Sequence, residues 1–447
     1  MAEGPARPEP HHVSVGAPSS RRSAQPLDAV GLDSRLGSVT APSTSSRPAH
    51  HEDATTAIRN GSGSPWLIAL KGPGALASGA GRGRSDEGMA VAHINRIGVA
   101  NPDHDVHDAF VAFANGMLPD ERSRELFGRM VERAGIAHRY SAFRPGDPSG
   151  ASADADGFFP RGAFPTTGAR MARFEADALP LAERAVAALD LRGERDAITH
   201  LVVASCTGFT APGLDQGLAA RLGLQPSVER TLVGFMGCAA AVNALKLARH
   251  IVRSEPDARV LVVNLELCTL HFQETAKLGR ILSALLFGDG CAASLVTADA
   301  TGIALDDFRA TTIPGTAGHI TWRIGDQGFD MHLSGDVPGR IATTLRLEAA
   351  RNAEDGLLRG RRVADFDLFA VHAGGRTVLD AVEAGLGLGP DALRPSRGVL
   401  HDFGNMSSAT LMFVLERILR AGTAAASGLG MAFGPGLAAE TFRFRIA

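Results

Sequence analysis

Short apolar runs alternate with helical patterns along most of this chain. His200-Leu-Val-Val-Ala-Ser205, Arg259-Val-Leu-Val-Val-Asn-Leu265 and Asp367-Leu-Phe-Ala-Val371 are short apolar runs of the length of buried parallel strands. Met89 to Asn95 reads as a first strand leading into Gly98, and Thr441 to Ile446 alternates as a last one. Between them, period-3.6 patterns predict two helices within 105–137, broken near Asn115 to Pro119, and others over Met171 to Leu189, Ala239 to Val252 and Ser407 to Leu419. Residues 144–166 read as loop, Leu400 to Asn405 as a turn, and Ala432-Phe-Gly-Pro-Gly436 as a rigid glycine loop. Strand and helix in alternation predict an α/β fold with a mostly parallel sheet.

Residues 1–88 break this rhythm. Rich in Pro, Ser, Gly, Arg and Ala, they show no sustained period and are expected to be a disordered extension. Met89 reads as a physiological start, an expectation that a native peptide from residues 1–80, seen by mass spectrometry, would sink. The 447 residues are 45% hydrophobic, enough for a large core. Net charge is −3, which argues against a nucleic-acid surface. No apolar run is long enough to span a bilayer, and no signal-peptide core is present. Four cysteines (Cys206, Cys238, Cys268, Cys291) without a CxxC argue against zinc or a disulfide framework and for a reducing cytoplasm.

Three strands run into reactive groups: Cys206 after the first, Cys268 after the second and His372 after the third. Ligands collect at the carboxyl ends of strands in open α/β sheets, so convergence is expected. Cys238 differs because it sits between Gly237 and a helix-forming run. A helix N-terminus favours an anion and lowers a thiol's pKa. With His372 and with Asn405 in its glycine turn it could form a Cys/His/Asn set for acyl transfer. Each also has a plain structural reading: a packed small cysteine, a satisfied strand-end histidine, a turn-forming asparagine. Arg129 and Arg133, four residues apart, read first as a solvated helix face.

Five segments in order then carry a resemblance. Gly237-Cys-Ala-Ala240, Leu286-Phe-Gly-Asp-Gly290, Val371-His-Ala-Gly-Gly375, Gly404-Asn-Met-Ser-Ser-Ala409 and Phe433-Gly-Pro-Gly436 closely resemble the chalcone synthase-like family, the type III polyketide synthases of bacterial type. The likeness runs from about Ile97 to the C-terminus. It implies a thiolase-like fold, with duplicated halves (89–302 and 303–447) in a five-layer α/β/α/β/α arrangement, and a homodimer. It also implies the reaction: iterative decarboxylative condensation of malonyl-CoA onto an acyl-CoA starter held on Cys238, then cyclisation to a pyrone, resorcinol or similar polyketide. No metal or cofactor beyond the coenzyme A thioesters is implied. By the same resemblance, His372 is the imidazolium partner of the Cys238 thiolate and, with Asn405, binds the malonyl thioester carbonyl. Phe287 matches a gatekeeper, Ser407 a cavity wall, and Phe433, Gly434, Pro435 and Gly436 the loop lining the chamber. Arg129 and Arg133 match cationic coenzyme A residues, while a third such position is Leu126.

Departures bear on the product. Cys206, Cys268 and His271 stand where plant chalcone-forming relatives carry threonines, Met331 at a second gatekeeper, Trp322 near a cavity glycine and Ala211 where a methionine reaches into the partner's cavity. A tryptophan replacing glycine in a close-packed site excludes a bulky aromatic starter, which favours an aliphatic acyl-CoA. Three readings stay open beside this one: a single-step ketoacyl synthase of the initiating type, an all-malonyl polyhydroxynaphthalene-type synthase, and an inactive relative kept as a partner subunit.

Overall fold

The computed structural model describes residues 89–147, 150–423 and 426–447; the extension expected over 1–88 lies outside them. The first part of the chain forms β1 (Ala92–Ala100), β2 (His104–Asp105), α1 (His107–Asn115), α2 (Glu121–Ala134), β3 (Tyr140–Ser141), α3 (Thr167–Leu189), β4 (His200–Ser205), α4 (Leu214–Leu222), β5 (Glu229–Gly234), α5 (Ala240–Ser254), β6 (Val260–Leu267), α6 (Leu278–Leu286) and β7 (Asp289–Thr297). The second part forms β8 (Ile303–Thr312), β9 (Ile320–Gly325), β10 (Gly328–Leu333), α7 (Val337–Arg351), β11 (Leu368–Val371), α8 (Arg376–Leu386), α9 (Arg394–Phe403), α10 (Ser408–Arg420), β12 (Ser427–Gly434) and β13 (Ala438–Ile446). The expected break after Asn115 is real. Gly116 and Pro119 interrupt the helical pattern, and Asp120 restarts it by accepting the Ser123 N–H at 2.8 Å, an N-cap.

Nine strands pair in the order β11-β12-β13-β8-β1-β7-β6-β4-β5. The order β1-β7-β6-β4 on one side repeats as β8-β13-β12-β11 on the other, with two antiparallel pairings followed by one parallel pairing each time. The two repeats meet through β1 and β8, which share the stretch Ala92–Ile94. The sheet is therefore mixed, not mostly parallel. The expectation failed for a physical reason: β7 is buried along its whole length yet runs antiparallel to both neighbours, and two-sided burial erases the alternation that marks an antiparallel strand.

Side chains along β4 alternate between layers. Leu201 and Val203 pack with Phe174, Leu181 and Val186 of α3, whereas Val202 and Ala204 pack with Val242 and Leu245 of α5 and with α10. Beyond α5 and α10 comes the second repeat, whose far face joins Phe369, Val371 and Leu429 to Leu345 of α7 and Leu379 of α8. That is the five-layer arrangement. Of the central helices, α10 is buried without a break from Ser408 to Leu415, as a layer between two sheets must be, whereas α5 buries Val242, Leu245 and Val252 on one face and leaves His250 exposed.

Two turns were shorter than expected. The stretch Leu400 to Phe403 finishes α9, which opens at Arg394-Pro395 with the fixed proline φ suited to a first helical turn, so the turn is confined to Gly404–Ser407. Likewise Ala432 to Gly434 ends β12, leaving Pro435–Leu437 as the bend.

Candidate active site

Cys238 lies in a single helical turn, Gly237–Ala239, that feeds α5. The approach is strained: Phe235 has φ +55° and Gly237 φ +58°, and a Cβ on Gly237 would stand 2.6 Å from Pro435 Cδ. Cys206 braces this turn, its sulfur accepting the Gly237 N–H at 3.0 Å. His372 follows β11, its N–H donating to Met431 O at 2.8 Å. Asn405 follows α9 and is oriented by its own amide oxygen, which accepts from Ser407 N at 2.8 Å and Thr410 Oγ1 at 3.4 Å. The amide nitrogen must then be the donor, and it gives one N–H to Gly374 O at 3.2 Å.

These three residues line one cavity of about 660 Å3. The predicted wall residues Phe287, Met331, Trp322, Cys206, Cys268, His271, Ser407, Phe433, Gly434 and Pro435 line it too. Gly436 does not; its carbonyl accepts from Thr316 Oγ1 at 2.9 Å, behind the bend. Of the two predicted cationic residues, Arg133 lines the cavity, while Arg129 lies outside the lining and 3.9 Å from Glu125. Arg376, Arg280 and Arg144 line it as well and were not foreseen. Leu126 is exposed, as is Ala211.

Two aromatic groups shape the interior. Trp322 donates its indole N–H to Cys206 O at 2.8 Å and meets His271 edge-on at 5.3 Å, and His271 stacks on Phe329 at 4.1 Å. Trp322 is held from three sides and subtracts its ring from the chamber. Elsewhere Phe110, Phe143, Phe159 and Phe272, linked by ring contacts of 5.1 to 6.0 Å, form a second, aromatic wall.

The electrostatics of the site are dominated by burial. Burial pushes the Cys238 thiol up to about 12; the Ser407 and Asn405 side chains, within hydrogen-bonding reach, pull it down, and the Glu266 carboxylate pushes it further up. Burial also drives the His372 imidazole down to about 3, and neither ring nitrogen finds a partner among the described residues. Thiol and imidazole thus both favour their neutral forms. The lowered thiol expected from the helix end is outweighed, because desolvation of a whole charge costs more than half a helix charge returns. Cys206 and Cys268 are raised well above an ordinary thiol by the same burial.

A pH profile follows. A thiol near 12 has a thiolate fraction that grows about tenfold per pH unit, so alkylation of Cys238 by iodoacetamide should keep climbing from pH 7 to 10. A plateau near neutrality, read by peptide mapping, would instead mean a standing thiolate–imidazolium pair.

Glu266 escaped the sequence reading. It lies fully buried at the end of β6, pushed by burial to about 7, and its carboxylate accepts from Ser408 Oγ (2.6 Å), Cys206 N (2.9 Å) and Thr207 Oγ1 (3.0 Å). It ties both repeats together beneath the thiols. Its sequence signal is an acid inside a buried strand whose other residues are apolar except Asn264.

Two family models match the chain. The model for the N-terminal domain of chalcone and stilbene synthases matches residues 83–300, and that for the C-terminal domain matches 305–447. The chain belongs to this family. It is a type III polyketide synthase, an acyltransferase-type enzyme, and its fold is thiolase-like. The synthase is 34% identical to the alpha-pyrone synthesis polyketide synthase-like Pks18 of Mycobacterium tuberculosis, over 73% of this chain and 84% of that protein. Bisdemethoxycurcumin synthase of Oryza sativa is 35% identical over 80% of this chain and 93% of its own. Among solved structures, PKS-I from the brown alga Ectocarpus siliculosus superposes with a TM-score of 0.71 at 30% identity, covering 81% of the synthase and all of the algal chain. Iterative condensation of malonyl-CoA into polyketides is the activity of such enzymes and of this one. Among the described residues no helix is long and apolar enough to cross a membrane, and no group of three or more His, Cys, Asp or Glu could hold a metal ion.

Proposed function

We propose that the synthase primes itself with an aliphatic acyl-CoA on Cys238, extends it with malonyl-CoA and closes the product to a pyrone, resorcinol or similar ring. One observation carries the assignment of roles: Cys238, His372 and Asn405, from three distant segments, face one cavity with the His372 ring nitrogens unpartnered. In loading, Cys238 Sγ attacks the starter's thioester carbonyl, its proton passes to His372, and the C–S bond to coenzyme A breaks. The coenzyme A thiolate takes that proton as it leaves. In extension, the C–C bond to the malonyl carboxylate breaks, carbon dioxide departs and the electron pair forms an enolate. The Asn405 amide and a His372 N–H donate to its oxygen. The enolate carbon then attacks the Cys238 thioester, releasing the thiolate and a product two carbons longer.

A neutral imidazole suits both tasks, since it carries one acceptor and one donor nitrogen. Decarboxylation itself generates the nucleophile, so no metal or cofactor is called for beyond the coenzyme A thioesters. Arg133 at the cavity wall is the proposed contact for coenzyme A phosphates, with Arg129 the weaker candidate.

The starter class rests on the two walls. Trp322, His271 and Phe329 crowd one side, while the four-phenylalanine wall offers apolar surface to a flexible chain. Malonyl-CoA with a panel of acyl-CoAs should give long-chain aliphatic products of more than one extension and little from bulky aromatic starters. Product masses decide it: polyketides from malonyl-CoA alone would assign the all-malonyl reading, and single extensions requiring acyl carrier protein the ketoacyl synthase reading.

Residues 89–302 and 303–447 serve as the two halves, a division supported by the repeated strand order. A homodimer is proposed from edge strand β5, which pairs with β4 on one side among the described residues, and from exposed Phe209, Leu232 and Met236 beside Ala211. A monomeric mass by light scattering would overturn it. Four free cysteines support a reducing, cytoplasmic setting.

A further inference from the structure

Arg139 is 1% exposed and stands in the cavity wall, where a lone cation is costly to bury. Its guanidinium is nevertheless well employed. Nε donates to His107 Nδ1 at 3.0 Å, and Nη1 donates to Ala284 O at 3.1 Å and Phe287 O at 2.8 Å. The guanidinium lies 4.4 Å from the Phe110 ring centroid. Those two carbonyls are at the end of α6, where the helix dipole is negative, so a cation there is favoured; Ala284 O also accepts the Phe287 N–H at 3.3 Å. Nη2 has no partner among the described residues. Burial lowers Arg139 to about 10, which leaves it protonated at neutral pH, and Asp105 and Asp289 oppose the fall.

The far side of the same segment meets the site. Gly288 N donates to Asn405 O at 3.0 Å and Asn405 N donates to Leu286 O at 2.8 Å, so Phe287 and Asn405 are paired as in a parallel sheet. The preceding residue, Gly404 at φ +68°, brings the chain so close that a Cβ there would stand 2.8 Å from Arg139 Cγ. The three residues Leu286–Gly288 are thus a plank held by Arg139 along one edge and by Asn405 along the other.

We propose that Arg139 is a positioning residue for the condensation step: through Phe287 O and the Leu286–Gly288 segment it holds the gate ring and the Asn405 amide in register with Cys238. This rests on the reading that Asn405 binds the enolate oxygen. The cation need not touch substrate. A donor displaced by an ångström loses most of its effect on a transition state, whereas Cys238, carried by another segment, keeps its own geometry.

The test separates loading from condensation. In Arg139→Gln, labelling of Cys238 by radioactive acyl-CoA should stay within about twofold of the parent, while kcat for malonyl-CoA decarboxylation falls roughly tenfold to a hundredfold. Arg139→Lys, which can still donate to Phe287 O, should recover part of the loss, and it carries the same comparison should the Gln variant fail to fold. Loading and decarboxylation falling by one common factor would make Arg139 a fold brace and overturn the proposal, as would no change in either. Asn405→Ala is run in parallel. If that variant decarboxylates normally, the reading of the site fails; if it loses decarboxylation while Arg139→Gln does not, the Arg139 assignment fails and the site stands.

Discussion

Cys238→Ala should abolish polyketide formation while leaving slow release of carbon dioxide from malonyl-CoA. In the proposed reading the thiol holds the growing chain beside His372 and Asn405, so its removal takes away the covalent intermediate, not merely a fraction of the rate. Condensation should fall by at least about four orders of magnitude, the scale on which loss of a nucleophile acts. Decarboxylation needs the two donors, whose supports do not include the Cys238 side chain: Asn405 is oriented by Ser407 N and Thr410, His372 by its backbone bond to Met431. Measuring labelled product and labelled carbon dioxide in one reaction separates the steps. Undiminished product would refute the nucleophile. It would also direct attention to Cys206 and Cys268, which share the cavity wall but are buried and raised well above an ordinary thiol.

Asn405→Ala should spare the thiol and cripple the enolate. One donor lost from a dry oxyanion site costs about 2.7–4 kcal/mol, or roughly a hundredfold to a thousandfold in rate. The expected outcome is a loss of that size in malonyl-CoA decarboxylation with acyl loading of Cys238 retained. Some loss of stability accompanies it, because Ser407, at φ +46°, gives up the acceptor that holds its N–H. The melting temperature therefore has to be read beside the rate. A variant that decarboxylates at the parental rate would mean that His372 suffices, and would remove Asn405 from the chemistry.

A resting imidazolium–thiolate pair was implied by the resemblance, yet burial favours neutral partners at both Cys238 and His372. In a dry pocket, charge is better created during the reaction than stored before it, since two isolated charges must be desolvated in advance of any gain. The buried Glu266 reinforces this by opposing thiolate formation at Cys238. Reactivity is then expected to appear when substrate fills the cavity and a proton can move from sulfur to imidazole.

Much of the architecture was legible along the chain. The bounds of β4 were readable residue by residue, and the Cys238 turn, the helix after it and the three strand-end positions were identifiable, because apolar period and glycine placement are local properties. Cys238 stood out by opening a helix, and the five motifs in order determined the family. Strand direction was not legible, since β7 buried on both faces looks the same whichever way it runs. Nor were Glu266 and Arg139, whose partners lie about thirty to a hundred and fifty positions away in the chain. The protonation of Cys238 and His372 also belongs to the tertiary structure. A residue's type is carried by the sequence, but its desolvation and its partners come from distant segments folding around it, and those set its charge, its orientation and its part in the reaction.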